Sequence, residues 1–175
     1  LEKSVFAALT GELLSLLKGN NMPLADSFFG WFVILMLYVI IGIMAGAGSV
    51  FISQKIFKGA NERRFYAFFL FVIAGFYAAF VAHFGDNDAW RTELTAIALF
   101  SLLSFLGAFY SSVLAMGYLI HGAWDIVHEL NQTFGIGELN ELELTTVPML
   151  YGVFCLTYDL IIAGYCVYRR KIWAS

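Results

Sequence analysis

One short stretch of the sequence holds most of the side chains that could do chemistry. His121, Asp125 and His128 stand at positions i, i+4 and i+7, and an α-helix places such residues within an arc of roughly 60°. Imidazole and carboxylate groups four residues apart can bind one ion, because the helical rise between them is about 6 Å. Zn, Fe and Mn all accept such nitrogen and oxygen ligands. The spacing therefore predicts a divalent metal site on one face of a helix.

Two more polar residues in apolar surroundings, His83 and Asp159, are candidate ligands. His121 and His128 are about 10 Å apart along a helix axis, so both reaching one ion is strained. Two ligand sets are preferred: Asp125 and His128 with His83, or His121 and Asp125 with Asp159. Two ions bridged by Asp125 are a further arrangement.

The chemistry that such an ion would supply is a nucleophile, because a bound divalent cation acidifies water at neutral pH. Glu129 or Asp86 would then act as a general base. Three other interpretations compete with this one. Asp125 between two histidines can be a hydrogen-bond network that only fixes helix packing, and the outermost polar residues can be caps where helices meet water. His83 and His128 on two helices could instead hold haem or a pigment.

The composition indicates that lipid is the solvent. Of the 175 residues, 61% are hydrophobic and 13% are charged, whereas about a quarter of a typical soluble domain is charged. The net charge is −3, and the ten Lys and Arg are too few and too scattered for a phosphate-binding stripe. We therefore expect membrane lipid and other membrane-protein subunits as partners, and no nucleic acid.

Apolar stretches predict an all-α, polytopic transmembrane helix bundle of about five spans. The predicted spans are 28–52, 65–84, two helices within 95–130 that divide near 107–112, and 146–168. Residues 1–27 are predicted to form an N-terminal interfacial helix and linker, because 4–18 is amphipathic but too short to cross a bilayer. The bundle would occupy residues 28–175.

Basic residues orient this bundle, since Lys and Arg near span ends mark the cytoplasmic side. They are concentrated in the loop 53–64 and at 169–171. With five spans both segments lie on one side, which predicts an integral membrane protein of the bacterial inner membrane with its C-terminus in the cytoplasm. The same orientation brings five polar residues to the outer half or the midplane of the membrane: His83, His121, Asp125, His128 and Asp159.

A close helix contact is predicted at Gly42 and Gly46. Small residues four positions apart let two helix backbones approach each other in a membrane. The partner helix could belong to this protein or to another subunit.

The stretch HGAWDIVHE at 121–129 resembles the H-x-x-W-D-x-x-H-H motif of a family of small bacterial integral membrane proteins of unknown function. The matching positions are His121, Trp124, Asp125 and His128, whereas Glu129 stands where that family has a second histidine. The resemblance implies a helical membrane protein and no particular activity. A looser similarity, to membrane zinc hydrolases of the ceramidase and adiponectin-receptor type, is an analogy only.

Two functional hypotheses follow from the sequence. The first is a metal-dependent membrane enzyme that acts on a lipid or isoprenoid-like substrate. The second is a non-catalytic accessory subunit of a larger membrane complex, whose histidines ligate haem or pigment or serve only helix packing.

Overall fold

The computed structural model describes residues 28–135 and 142–173, and within these ranges the regular structure is helical, with no strand. The all-α class is confirmed. The interfacial helix predicted within residues 1–27 lies outside the described residues. The described helices are α1 (Phe28–Ile56), α2 (Ala60–Phe84), α3 (Trp90–Gly107), α4 (Ser111–Phe134) and α5 (Tyr151–Arg169), with a short 3₁₀ helix at Asn87–Ala89 before α3.

Four stretches of the described chain are helical, long and apolar enough to cross a membrane: α1, α2, α3 with its preceding 3₁₀ helix, and α5. Helix α4 has 24 residues, enough length for a bilayer that needs about 20. It is less apolar than the others because His121, Asp125 and His128 lie within it. A membrane protein is therefore supported.

The chain divides into two compact units, residues 1–37 and 38–175. The described part of the first unit is the beginning of α1, residues 28–37. The second unit contains the rest of α1 and the other described helices, and all contacts described below belong to it.

A tight hairpin joins α3 and α4, as predicted from the length of the stretch 95–130. Helix α3 ends at Gly107 and α4 begins at Ser111. A Cβ atom at Gly107 would lie 3.0–3.1 Å from Leu114, so glycine allows the two helices to meet at the turn. The ring of Phe100 packs edge-on against His121, with 4.9 Å between centroids. The helices therefore run antiparallel, and α3 covers one side of the polar face of α4.

Glycines also set the close contact between α4 and α5. A Cβ atom on Gly152 would lie 2.5 Å from the carbonyl oxygen of Asp125, and one on Gly122 would lie 3.3 Å from Cβ of Asp159. Any larger side chain at these positions would separate the helices. Because Gly122 and Gly152 have no side chain, Asp159 of α5 lies beside His121 of α4.

Helix α1 packs on α5 through the predicted small-residue motif. A Cβ atom on Gly42 would lie 2.8 Å from both the carbonyl oxygen of Phe154 and Cβ of Thr157, and one on Gly46 would lie 3.0 Å from Ile161. The motif is therefore used inside this protein.

A buried carboxylate holds three helix ends together. Glu62 is fully buried and accepts hydrogen bonds from Ser53 of α1, Tyr165 and Arg169 of α5, and the indole of Trp173. We call these five residues the Glu62 cluster. It joins the end of α1 and the beginning of α2 to the end of α5.

The two basic segments lie at the same end of the bundle, as the charge pattern predicts. Arg169 donates to Glu62 over 2.8 Å, and Arg63 donates to the carbonyl oxygens of Ala108 and Trp173, each over 3.0 Å. Charges from the 53–64 loop and from the end of α5 therefore lie side by side.

Candidate functional site

The structure brings three of the predicted ligands together in the interior. His121 and Asp125 come from successive turns of α4, and Asp159 comes from the middle of α5. All three are at most 1% exposed. One ligand atom from each lies within 4.8 Å of the other two. We call them the His–Asp cluster, and they are the second of the two ligand sets that the sequence favours.

Nδ1 of His121 is at the centre of the cluster. It lies 2.9 Å from Oδ2 of Asp125 and 2.9 Å from Oδ2 of Asp159, with hydrogen-bond geometry toward Asp159 alone. The hydroxyl of Tyr77, from α2, donates to Oδ1 of Asp125. Three atoms of the cluster are buried with no hydrogen-bond partner: Nε2 of His121, Oδ1 of Asp159 and, despite its distance of 2.9 Å from Nδ1 of His121, Oδ2 of Asp125.

Charge balance is the chief physical problem of this cluster. In the described part of the chain, no hydrogen bond or ion pair joins Lys or Arg to Asp125 or Asp159. Unpaired carboxylates are costly to bury, so the cluster requires bound protons or a cation. Ligand atoms about 2.1 Å from one ion and at right angles to each other are about 3.0 Å apart, close to the 2.9 Å separations around His121. The spacing of the donor atoms is thus compatible with a divalent cation, and equally with hydrogen bonds between the same atoms.

His128 lies on the same face of α4 but has other partners. Its Nδ1–H donates to the carbonyl oxygen of Trp124 over 3.0 Å, and its Nε2 lies 2.7 Å from Oε1 of Glu93. The same Glu93 oxygen accepts the backbone N–H of Thr145. Because both ring nitrogens are engaged, His128 ties α4 to α3 and to the segment before α5. Its ring also packs on Tyr77, with 4.6 Å between centroids.

His83 stands apart from these residues. It lies in the last turn of α2, is exposed, and its ring contacts that of Phe84. The hydrogen bonds and ion pairs described for Asp125 and His128 do not include it. Its predicted roles, as a metal ligand with Asp125 and His128 or as a haem ligand with His128, stay predictions.

The two candidate general bases hold the segment that leads into α5. Glu129 accepts the backbone N–H groups of Leu150 and Gly152 at the start of the helix. Asp86 accepts the backbone N–H of Thr146 over 2.7 Å. This hydrogen bond lowers the pKa of Asp86 below its ordinary value. Both carboxylates thus have contacts that order a loop.

A large cavity lies between α1, α2 and α5, and we call it the lateral cavity. Its volume is about 800 Å³ and its wall is mostly apolar. Asp159 is the member of the His–Asp cluster that lines it, together with Cys155, Tyr158 and Ser49. The cluster therefore meets an apolar space that is large enough for a small molecule.

Sequence reasoning missed Tyr77 and Glu93, which contact Asp125 and His128. Glu93 did carry a signal, because it is an acidic residue in the first turn of an apolar helix, where a charge needs a partner. Tyr77 carried none, because an aromatic residue among apolar neighbours is typical of packing.

The chain belongs to DUF6010, a family of unknown function whose profile matches residues 37–171. This range includes the His–Asp cluster, the lateral cavity and the Glu62 cluster apart from Trp173. No curated protein and no solved structure matches the chain. The H-x-x-W-D-x-x-H-H motif and a bacterial origin remain predictions from the sequence.

Proposed function

We propose that this protein is a metal-dependent integral membrane protein whose His–Asp cluster binds a divalent cation and acts on a membrane-soluble substrate. The observation that carries the proposal is the buried set of His121, Asp125 and Asp159, which has unpartnered ligand atoms and no contact with Lys or Arg among the described residues. Asp159 connects this set to the lateral cavity, where a substrate would lie.

The ligand set also limits the metal and its chemistry. One imidazole and two carboxylates suit Zn, Fe or Mn. Three protein ligands leave coordination positions for water or substrate, as in catalytic sites. A cation bound there supplies Lewis acidity or an activated water. Tyr77 holds the orientation of Asp125, and Gly122 and Gly152 hold α5 close enough for Asp159 to take part.

We place α4 in the membrane as a fifth span. Its polar face is buried against α2, α3 and α5, whereas Met116, Leu119 and Ile120 are exposed on its other side. A span with this arrangement hides its ionisable groups from lipid. The basic segments then assign the end of α5 to the cytoplasm, in our proposal that of a bacterial inner membrane.

Metal analysis of the detergent-purified protein tests the proposal. After growth with Zn, Fe and Mn, we expect about one divalent ion per chain, since one His–Asp cluster offers one set of ligands. Asp159→Asn and His121→Ala should lose the ion, because each removes a ligand. His83→Ala is the matched control and should keep it. Metal-free wild-type protein, or loss of metal in His83→Ala alone, would overturn the proposed ligand set.

A second candidate function is the accessory subunit, with the cluster acting only in helix packing. The observation in its favour is that Tyr77 donates to Asp125 and that His121 pairs with Asp159, so that protein groups already supply partners within the cluster. A visible absorption spectrum of the purified protein tests the version of this hypothesis in which histidines ligate haem or pigment. A haem or pigment band that disappears in His128→Ala would support it.

A further inference from the structure

We infer that the lateral cavity binds one hydrocarbon chain of a membrane phospholipid, which enters sideways and passes Asp159 about halfway across the bilayer. This inference rests on the proposed function for the metal centre that the chain would meet. It adds the substrate class and the part of the substrate that faces the cluster.

The shape of the cavity matches a chain that lies along the bilayer normal. On α2 its lining extends from Phe65 to Phe80, and this separation corresponds to about 22 Å of helix. The hydrocarbon core of a bilayer is about 30 Å thick. The cavity is therefore long and parallel to the helices, as the lipid chains around the protein are.

The mouth of the cavity faces the membrane and not an aqueous surface. Met44, Ile52 and Phe76 belong to its wall and are 68%, 54% and 47% exposed on the sides of α1 and α2. Both helices are apolar enough to span a bilayer. A ligand would therefore enter between α1 and α2 from lipid, which favours a lipid over a water-soluble molecule.

The depth of Asp159 determines which part of a lipid it meets. Asp159 lies about 12 Å along α5 from Tyr151, and His121 lies about 15 Å along α4 from Ser111. Both positions are near the middle of a hydrocarbon core about 30 Å thick. A phospholipid headgroup remains at the surface, so the segment beside Asp159 belongs to the chain.

The polar residues beside Asp159 do not form a binding site for a charged headgroup. The hydroxyls of Ser49 and Tyr158 lie 3.2 Å apart and satisfy each other. Among the described residues, no Lys or Arg lines the cavity. The described wall therefore offers mostly apolar contact along its length, and Asp159 contributes a carboxylate to it.

Two glycines allow a sharp test. A Cβ atom on Gly48 or on Gly75 would meet nothing within 4 Å, so either position has open space where a side chain begins. Gly48 lines the lateral cavity and Gly75 does not. Gly48→Leu therefore adds a side chain at the wall of the cavity, and Gly75→Leu is its matched control with the same change in helix propensity.

The experiment uses the purified chain in nanodiscs of phosphatidylethanolamine and phosphatidylglycerol. The probe is a phosphatidylcholine with a diazirine at the middle of one acyl chain, and labelled peptides are identified by mass spectrometry after irradiation. We expect labelling of the α2 and α5 segments that line the cavity. In Gly48→Leu this labelling should fall about tenfold, because the leucine displaces several methylene groups of the chain, whereas Gly75→Leu should match wild type.

Three outcomes would overturn the inference: labelling spread evenly over all lipid-facing helices, equal labelling of Gly48→Leu and Gly75→Leu, and specific labelling by a polyprenyl diazirine but not by the acyl probe. Metal content, measured on the same samples, separates this inference from the proposed function. Specific acyl labelling of a metal-free protein would refute the metal centre alone. Bound metal with unspecific labelling would refute the acyl-chain site alone.

Discussion

The Glu62 cluster and the His–Asp cluster both bury carboxylates, but they compensate the charge differently. Both oxygens of Glu62 accept hydrogen bonds, and Arg169 supplies a positive charge. In the His–Asp cluster, Asp125 and Asp159 each retain an unpartnered oxygen. The side chain that could place a positive charge beside them is His121.

This difference separates a carboxylate used for stability from carboxylates available to a ligand. Glu62 already has the donors and the cation that a buried charge needs, so an added ion has no open position. The His–Asp cluster has ligand atoms in place, and a bound cation or proton would supply the positive charge that its carboxylates need. Burial alone therefore does not distinguish the two clusters, whereas the number of satisfied oxygens does.

The largest effect on stability is expected at Glu62. Glu62→Ala should lower the free energy of unfolding by about 3 kcal/mol, because it leaves Arg169 and several donors without their partner. The midpoint of thermal unfolding in detergent measures this effect, and it should not depend on added metal. Glu62→Gln is the control that keeps the shape and removes the charge. If Asp159→Asn destabilises the metal-free protein as much as Glu62→Ala does, the proposed difference in charge compensation between the two clusters is wrong.

Removal of metal should have the next largest effect. At a free concentration a hundred times its dissociation constant, an ion stabilises the folded protein by about 2.7 kcal/mol. A chelator should therefore lower the unfolding midpoint of wild type and leave that of Asp159→Asn unchanged. Acidification should act like the chelator, since protons compete with the ion for His121 and the carboxylates. An equal response of both proteins would show that no ion binds at this cluster.

A smaller effect is expected where α5 contacts α4. Gly152→Ala would place a Cβ atom 2.5 Å from the carbonyl oxygen of Asp125, and we expect a loss of about 1–3 kcal/mol through overpacking. Gly164→Ala, on the same helix and with nothing within 4 Å, should be stabilising by about 0.5–1 kcal/mol. Thermal unfolding and metal content should be measured together. Equal behaviour of the two variants would mean that the helices are not in close contact at Gly152.

The smallest effect concerns Asp86, outside both clusters. Its pKa is lowered by the N–H of Thr146, so its contribution to stability is present above its ordinary pKa of about 4 and is lost as the pH falls through the lowered value. Asp86→Asn should cost at most about 1 kcal/mol at pH 7 and should flatten the acid side of the stability profile. An unchanged profile would contradict this assignment.

Much of the architecture follows from the sequence, because apolar length and turn signals are local. The division of 95–130 at Gly107 and the shared end of the two basic segments were both predictable in this way. The shared face of His121 and Asp125 follows from helical spacing alone. Helix α2 begins five residues before the predicted span, since polar residues such as Glu62 extend it beyond its apolar part, whereas α5 begins at Tyr151, five residues after the predicted start.

The partners across helices were not predictable from spacing. A helical period shows which residues share a face, but not which neighbouring helix meets that face at each turn. His128 is one turn beyond Asp125, where α4 meets the beginning of α3, so it pairs with Glu93 and not with the His–Asp cluster. Asp159 meets His121 because two glycines bring α5 close, and only the three-dimensional structure reveals that contact.

The three-residue turn between α3 and α4 also has a consequence for biosynthesis. Helix α4 is less apolar than its neighbours, so it gains least from leaving the translocation channel alone. If α4 is the fifth span that we propose, its short connection to α3 lets the two helices enter the membrane as a hairpin in which Glu93 and His128 are already paired, 2.7 Å apart. The pairing of Glu93 with His128 thus allows α4, the less apolar of the two helices, to insert together with α3 before α5 has been synthesised.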